Sequence, residues 1–279
     1  MNRWILGILL SLTFLQPLRG ADAGTSALEA IQERGTLTML SFPHTRSVFV
    51  RPNLEYGPTQ RLGPAEHFVG IDVEILQAFA AHLGVDLEIR TLETPGYGPL
   101  IPALLDGQAD LLASSLTITE ARREIVDFSD PYFTLYPVII TQKNSPIHSV
   151  ADLDGRTAAT IAGSSHSERL AALGIPEARM LYVDFTSAYY TAILEEGAEF
   201  AVVDSITAAR DLAEFPDLEI AFRLPEEEHY GMALPPGSDL LPVLNRFLAG
   251  LKKSGELQRL IDRNLEELPA DAMETVTVK

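Results

Sequence analysis

Short apolar runs alternate with longer amphipathic ones along most of this chain, and that alternation is what most narrows the folds open to it. Strands are predicted at 37–41, 85–91, 110–114, 157–161, 180–183, 200–203 and 218–222, with helices between them. The clearest helix covers 70–83, where Ile71, Ile75, Leu76, Phe79, Ala80 and Leu83 share one face at helical spacing. Another runs over 238–265 on Leu241, Leu244, Leu248, Leu251, Leu257, Leu260 and Ile261, and is predicted to break at Gly250 or at Ser254-Gly255. Strand followed by helix, repeated, marks an α/β protein. The 279 residues suit about two domains of ordinary size.

The N-terminus stands apart from this pattern. Arg3 precedes an apolar stretch from Trp4 to Leu15, well short of the roughly 20 residues that span hydrocarbon. Ala21 and Ala23 then supply a small-x-small cleavage pattern, so 1–23 is read as a signal peptide and the chain is expected in the periplasm. The chain has no cysteine, which excludes a disulfide framework, thiolate metal sites, a cysteine nucleophile and a lipidated anchor. Stability must then come from the core alone. Asp plus Glu number 39 against 21 Lys plus Arg, a net charge of −18, the wrong sign for a nucleic-acid partner. The polar tail at 268–279 is given no structure.

Segment 43–68 carries Pro43, Pro52, Gly57, Pro58, Gly63 and Pro64 and is predicted to be a long surface loop, either a solvated connection or a ligand clamp built on His44, Arg46, Arg51, Arg61 and His67.

Three constellations could carry chemistry. In the first, a strand ends in Ser114-Ser115 and Thr119 is suited to cap a short helix holding Arg122. Hydroxyls, backbone N–H groups and a guanidinium then converge where α/β sheets bind ligands. An arginine fork matches a carboxylate, although pairing with Asp127 is an equally available role. In the second, Gly163 turns the chain into Ser164-Ser165-His166, and Ser165 with Glu168 reads as a capping box opening a helix at 168–173. Its first N–H groups could take an anion. In the third, Asp204 follows the strand 200–203, placed to hold an ammonium or to cap the next helix. The histidines show no metal spacing, and Glu226-Glu227-Glu228 reads as a solvated turn.

Taken together these segments resemble the family 3 extracellular solute-binding proteins, periplasmic amino-acid receptors of ABC transporters. The resemblance rests on Val69-Gly70-Ile71-Asp72-Val73-Glu74, on Ser115 to Arg122 followed by Val126-Asp127-Phe128-Ser129-Asp130-Pro131-Tyr132-Phe133, and on Ala162-Gly163-Ser164-Ser165, Phe200 to Asp204 and Tyr230-Gly231-Met232-Ala233. It implies a two-lobed type II periplasmic-binding-protein fold, each lobe a mixed sheet flanked by helices, joined by two hinge crossings near 133–136 and 229–231. Lobe 1 would take 24–134 and 230–267, and lobe 2 would take 135–229.

The same resemblance implies the site. Arg122, with the N–H groups of Thr117, Ser164 and Ser165, would bind a ligand carboxylate; Asp204, Ser115 and Thr117 would bind its ammonium; Tyr97 would be an aromatic platform. Where receptors for cationic amino acids carry an acid after the first strand, this chain has Phe42, which with Tyr97 points to an apolar or aromatic side chain, while the arginines of 43–68 keep an acidic ligand open. The expectation is a monomeric binding protein, not an enzyme, that takes a small amino acid or related zwitterion by hinge closure and hands it to a membrane ABC permease, with no metal or other cofactor. The alternatives are a dehydratase of the same fold acting on prephenate or arogenate, and a sensory or cell-wall-associated module.

Overall fold

A computed structural model gives the fold and describes residues 26–42, 47–56, 62–92, 94 and 96–266. The expected signal peptide and the tail at 268–279 lie outside these residues. Two mixed sheets organise the chain. The first has six strands in the order Leu62–Pro64, Asp86–Thr91, Thr36–Ser41, Leu111–Leu112, Ala233–Leu234 and Asp127–Phe128. The second has five, in the order Met180–Tyr182, Ala158–Thr160, Phe200–Asp204, Pro137–Gln142 and Leu218–Arg223.

Within the first sheet, Thr36–Ser41 runs parallel to both neighbours, whereas Ala233–Leu234 enters antiparallel between Leu111–Leu112 and Asp127–Phe128. Within the second, Pro137–Gln142 is antiparallel to both neighbours. The chain passes between the sheets twice, and the two passages pair with each other as Phe133–Leu135 against Glu228–Tyr230. The molecule is therefore two-lobed, one lobe inserted into the other.

Apolar alternation decides which side chains meet. Leu37 and Met39 face one cluster with Ile71, Ile75, Leu76 and Phe79 of the helix Ile71–Leu83; Leu40 faces the opposite cluster with Leu100 and Leu104. In the second sheet Val138 and Ile140 pack with Tyr189 and Tyr190, and Ile139 packs with Leu153 and Leu170 on the other side. Both sheets are thus covered on both faces, which explains why their central strands read as short, nearly continuous apolar runs.

The predicted strands all form, with ends shifted. The largest change is at 110–114, where only Leu111–Leu112 stays in the ladder, because Ser114 leaves it to accept the Phe42 N–H at 2.9 Å. Pro137–Gln142, central to the second sheet, was not anticipated. The long C-terminal helix breaks at Gly255, with left-handed φ of 73°, into Leu240–Ser254 and Glu256–Leu265; Gly250 stays inside the first of these.

Segment 43–68 departs most from expectation. Val48, Phe49 and Val50 are buried, Arg51–Pro52 pairs with Phe68–Val69, and Leu62–Pro64 extends the first sheet along Asp86–Thr91. A solvated loop does not describe residues 47–52 and 62–68, which are packed structure laid over a helix end, and Ser47, Val48 and Phe49 line the cleft between the two sheets. Arg51 bonds back to Ser47 O at 3.4 Å. His44, Arg46 and Arg61 lie outside the described residues.

The carbonyls of Val48 and Phe49 accept the N–H groups of Ile71 and Asp72 at 2.9 and 3.1 Å, satisfying the first donors of Ile71–Leu83. This close approach needs Gly70, whose φ is 130° and ψ 174°, a region open almost only to glycine. A Cβ there would stand 2.3 Å from Phe49 O. Gly70→Ala is therefore expected to lower stability by more than about 2 kcal/mol, read from urea unfolding, and an unchanged midpoint would show that the segment yields freely.

Candidate ligand-binding cleft

Between the sheets lies a cleft lined by residues of both lobes. Its floor begins at Ser115. The backbone there has left-handed φ of 47°, unusual for serine, and is held by Asp72, whose Oδ2 accepts the Ser115 N–H at 2.9 Å. The Tyr132 hydroxyl donates to Asp72 Oδ1 at 2.5 Å. Asp72 is fully buried; desolvation pushes its carboxyl up to about 6 despite the opposing bonds from Tyr132 and Ser115.

Beyond Ser115 the chain runs to Thr117, which faces Tyr230 as an isolated antiparallel bridge. The ladder bonds are made by its neighbours, Ile118 N–H to His229 O and Gly231 N–H to Leu116 O, so the Thr117 N–H lies outside the ladder. Thr119 caps the short helix Glu120–Arg123, its hydroxyl accepting the Arg122 N–H at 3.3 Å.

Arg122 is buried, not a surface residue. Its guanidinium donates to Thr117 O at 2.8 Å and to Gly163 O at 3.2 Å, so one side chain touches both lobes. Asp127 instead accepts the Gly237 N–H at 2.7 Å. Burial pulls the Arg122 guanidinium below its ordinary range, opposed by Glu168, Tyr97 and Glu228, and a group of this basicity stays charged.

Across the cleft, Gly163 has φ of 70° and lies so close to Gly98 that a Cβ would meet Gly98 N at 2.6 Å. Ser164, not Ser165, caps the following helix Ser165–Ala172: its hydroxyl accepts the Ser167 N–H at 3.1 Å. The expected capping box does not form: the cap sits one residue earlier, and the Ser167 hydroxyl donates to Ser164 O at 2.7 Å. The Ser164 N–H is committed to Ile161 O at 3.2 Å, so it is not available to a ligand in this conformation. Among the first donors of this helix, the Ser167 N–H meets the Ser164 hydroxyl and the Glu168 N–H meets Ser164 O, which leaves the N–H groups of Ser165 and His166 facing the cleft end. The Ser165 hydroxyl reaches Thr117 Oγ1 at 3.0 Å across the cleft.

Asp204 stands at the N-cap position of Ser205–Asp211, yet its side chain caps no N–H of that helix. It turns to His166, whose Nε2 lies 3.3 Å from Asp204 Oδ1. Glu228 completes the group. It is buried, ion-paired with Arg169 at 3.0 Å and accepts the Thr117 hydroxyl at 3.3 Å, so the reading of 226–228 as a solvated turn holds for the exposed Glu226 and Glu227 but not for Glu228. One ligand atom each from His166, Asp204 and Glu228 falls within 4.8 Å, a spacing that a metal could use. The Arg169 cation on Glu228 already supplies the positive charge a metal would bring.

Phe42 and Tyr97 stack on each other at 5.1 Å with rings 2° from parallel, and Phe185 tilts toward Phe42 from the second lobe at 6.4 Å. The expected residues Phe42, Tyr97, Ser115, Thr117, Arg122, Ser164, Ser165 and Asp204 therefore all line one cavity. His166 and Glu228 were missed; the only signal for His166 was its place in the Gly163 turn, and Glu228 was hidden in an acidic run. Arg210 and Asp211 also line the cavity, paired with each other at 2.6 Å, and Tyr190 donates to Asp211 at 2.8 Å.

Comparison with known proteins gives the same architecture. Residues 50–267 match the family model for bacterial extracellular solute-binding proteins, family 3. Membrane-bound lytic murein transglycosylase F of Desulfosudis oleivorans is 32% identical over 203 residues, 70% of this chain and 44% of that protein. The chain thus spans less than half the length of that relative. The arginine-binding extracellular protein ArtP of Bacillus subtilis is 31% identical over 70% of this chain and 77% of its own. Among solved structures, a variant of ArgBP from T. maritima superposes with a TM-score of 0.74 at 30% identity, covering 86% of this chain and 100% of that one. An ancestral amino-acid-binding protein described as a precursor of cyclohexadienyl dehydratase follows at 0.72 and 27%, covering 85% and 99%.

The Asp72 carboxyl generates a pH signature. Its native value of about 6 lies above the ordinary 3.8, so between these limits the folded state binds more protons than the unfolded. Stability is then lost as pH rises through this window, by about 3 kcal/mol in all. Urea unfolding of the protein and of Asp72→Asn is expected to show that difference shrink in favour of the variant between about pH 4 and pH 7. Parallel profiles would place the Asp72 titration elsewhere.

Proposed function

Since the chain belongs to the bacterial extracellular solute-binding proteins of family 3, we propose that it is a periplasmic receptor that closes over a small amino acid or related zwitterion and delivers it to a membrane ABC permease. Residues 1–23 act as its cleavable export signal, and 133–136 with 229–231 act as its hinges. The reading rests chiefly on one observation: a buried guanidinium, Arg122, and a half-buried carboxylate, Asp204, line one cleft. Arg122 with the N–H groups of Thr117 and Ser165 suits an α-carboxylate, and Asp204 with the hydroxyls of Ser115 and Thr117 suits an ammonium. A closed cleft of low dielectric strengthens both.

The side chain of the ligand meets the Phe42 and Tyr97 rings. Asp211, the other acid lining this cavity, is already taken by Arg210 and Tyr190. That favours an apolar or aromatic side chain over a cationic one, although ArgBP and ArtP are named for arginine. No group in the cleft is assigned a catalytic role, and the chain is read as a binder. A second reading, as the ligand-binding part of a cell-wall system, is favoured by the match to about half of the transglycosylase F relative.

Thermal-shift and calorimetric titration against all amino acids, murein fragments and prephenate tests these readings together. A binding amino acid raises the melting temperature. Binding of murein fragments alone supports the second reading, and conversion of prephenate to an aromatic product makes the chain an enzyme. For whichever amino acid binds, Arg122→Ala is expected to weaken affinity by at least about 30-fold while the protein stays folded. Unchanged affinity would remove Arg122 from the site.

A further inference from the structure

The amine end of this cleft holds a side chain that an amino-acid site does not require. His166 is the second residue of the helix Ser165–Ala172 and is buried, 7% exposed. Charged and titratable groups face it from three elements. Asp204 does so from the end of Phe200–Asp204, with Oδ1 at 3.3 Å from Nε2; Glu228 does so from the crossing strand Glu228–Tyr230; Arg169 lies one turn along its own helix. Tyr230 and Arg122 share the cavity with Asp204.

Charge bookkeeping within this group is close. Arg169 pairs with Glu228 at 3.0 Å and with Glu226 at 3.3 Å, while the imidazole faces Asp204 at 3.3 Å. A ligand ammonium needs the same carboxylate. Two cations crowded on one half-buried carboxylate repel strongly at low dielectric, so one of them has to give up its charge. The imidazole is the group able to do so near neutral pH.

Resting on the amino-acid reading above, we propose that His166 sets the specificity of the amine subsite: in the empty cleft its imidazolium is the counter-ion of Asp204, and a ligand ammonium takes that place as the ring releases one proton to solvent. The sign of the pH dependence follows. Burial pushes His166 down, but the carboxylates of Asp204 and Glu228 outweigh burial, Arg169 opposing, so the empty-state imidazole titrates above its ordinary range. The ammonium withdraws that support, so the ring titrates lower in the complex. Affinity for amino acids therefore rises with pH between the two values. An α-hydroxy acid of the same side chain carries no ammonium, ejects no proton and gains no affinity as pH rises.

The test is calorimetry of the full chain with the amino acid that binds most tightly, near pH 6.5, in buffers of different ionisation enthalpy. Release of up to one proton per ligand is expected, with affinity rising up to about tenfold per pH unit inside the window. In His166→Gln both the release and the slope are expected to vanish. In parallel, the His166 ring resonances of the unaltered protein, which need no variant to fold, are expected to titrate lower once ligand saturates the site. Binding without proton release, equal release in His166→Gln, or a ring titration that ligand does not move would each overturn the proposal and leave the amino-acid reading standing. Failure of every amino acid to bind would overturn that reading and this one with it. Tight binding of Zn²⁺ alone, lost in His166→Gln, would make the cluster a metal site and overturn the proposal too.

Discussion

The cleft depends on a buried carboxylate at a helix start. Asp72 has no solvent to stabilise its charge, and its two oxygens are spent on fixing Ser115 and Tyr132. Ser115 is where the first sheet hands the chain to the segment ending in Arg122, and its left-handed backbone is tolerable because that carboxylate holds its N–H. Tyr132 stands immediately before the first passage between the sheets. One side chain therefore links a helix start, a strand end and a crossing. The position of Asp72 is in turn set from behind, by Gly70 and by the carbonyls of Val48 and Phe49.

The same economy appears across the cleft. Arg122 spends part of its donor fork on Thr117 O and part on Gly163 O, which belong to different sheets' loops, so the guanidinium also fastens the closed arrangement. The Thr117 and Ser165 hydroxyls, and the close approach of Gly163 to Gly98, fasten it further. The chain's net charge of −18 has little bearing here, since the cleft works with a few matched charges withdrawn from solvent.

Much of this was legible from the residues. Alternation located the strands because each central strand is buried on both faces, and the helix 70–83 was written in its apolar stripe. The turn at Gly163 and the segment from Ser115 to Arg122 were recognisable because hydroxyls and glycine cluster locally there. What escaped was long-range convergence. His166, Asp204 and Glu228 are brought within 4.8 Å by sheet topology, and nothing along the chain announces the meeting. The segment 43–68 escaped for another reason: its prolines and glycines spell a loop, while Val48, Phe49 and Val50, three residues too few for any periodicity, decide that it packs. Phe49 meets Phe133 and Tyr230 edge-on at 5.1 Å, one on each crossing strand.

The insertion of one lobe into the other also orders events in time. Ala233–Leu234 fills the gap between Leu111–Leu112 and Asp127–Phe128, and Asp127–Phe128 pairs with no other strand of its sheet. A chain emerging N-terminus first leaves that gap open until residue 233 arrives, whereas every strand of the second sheet is present once Arg223 has passed. The later sheet can thus hold all its strands while the earlier one still waits for its last.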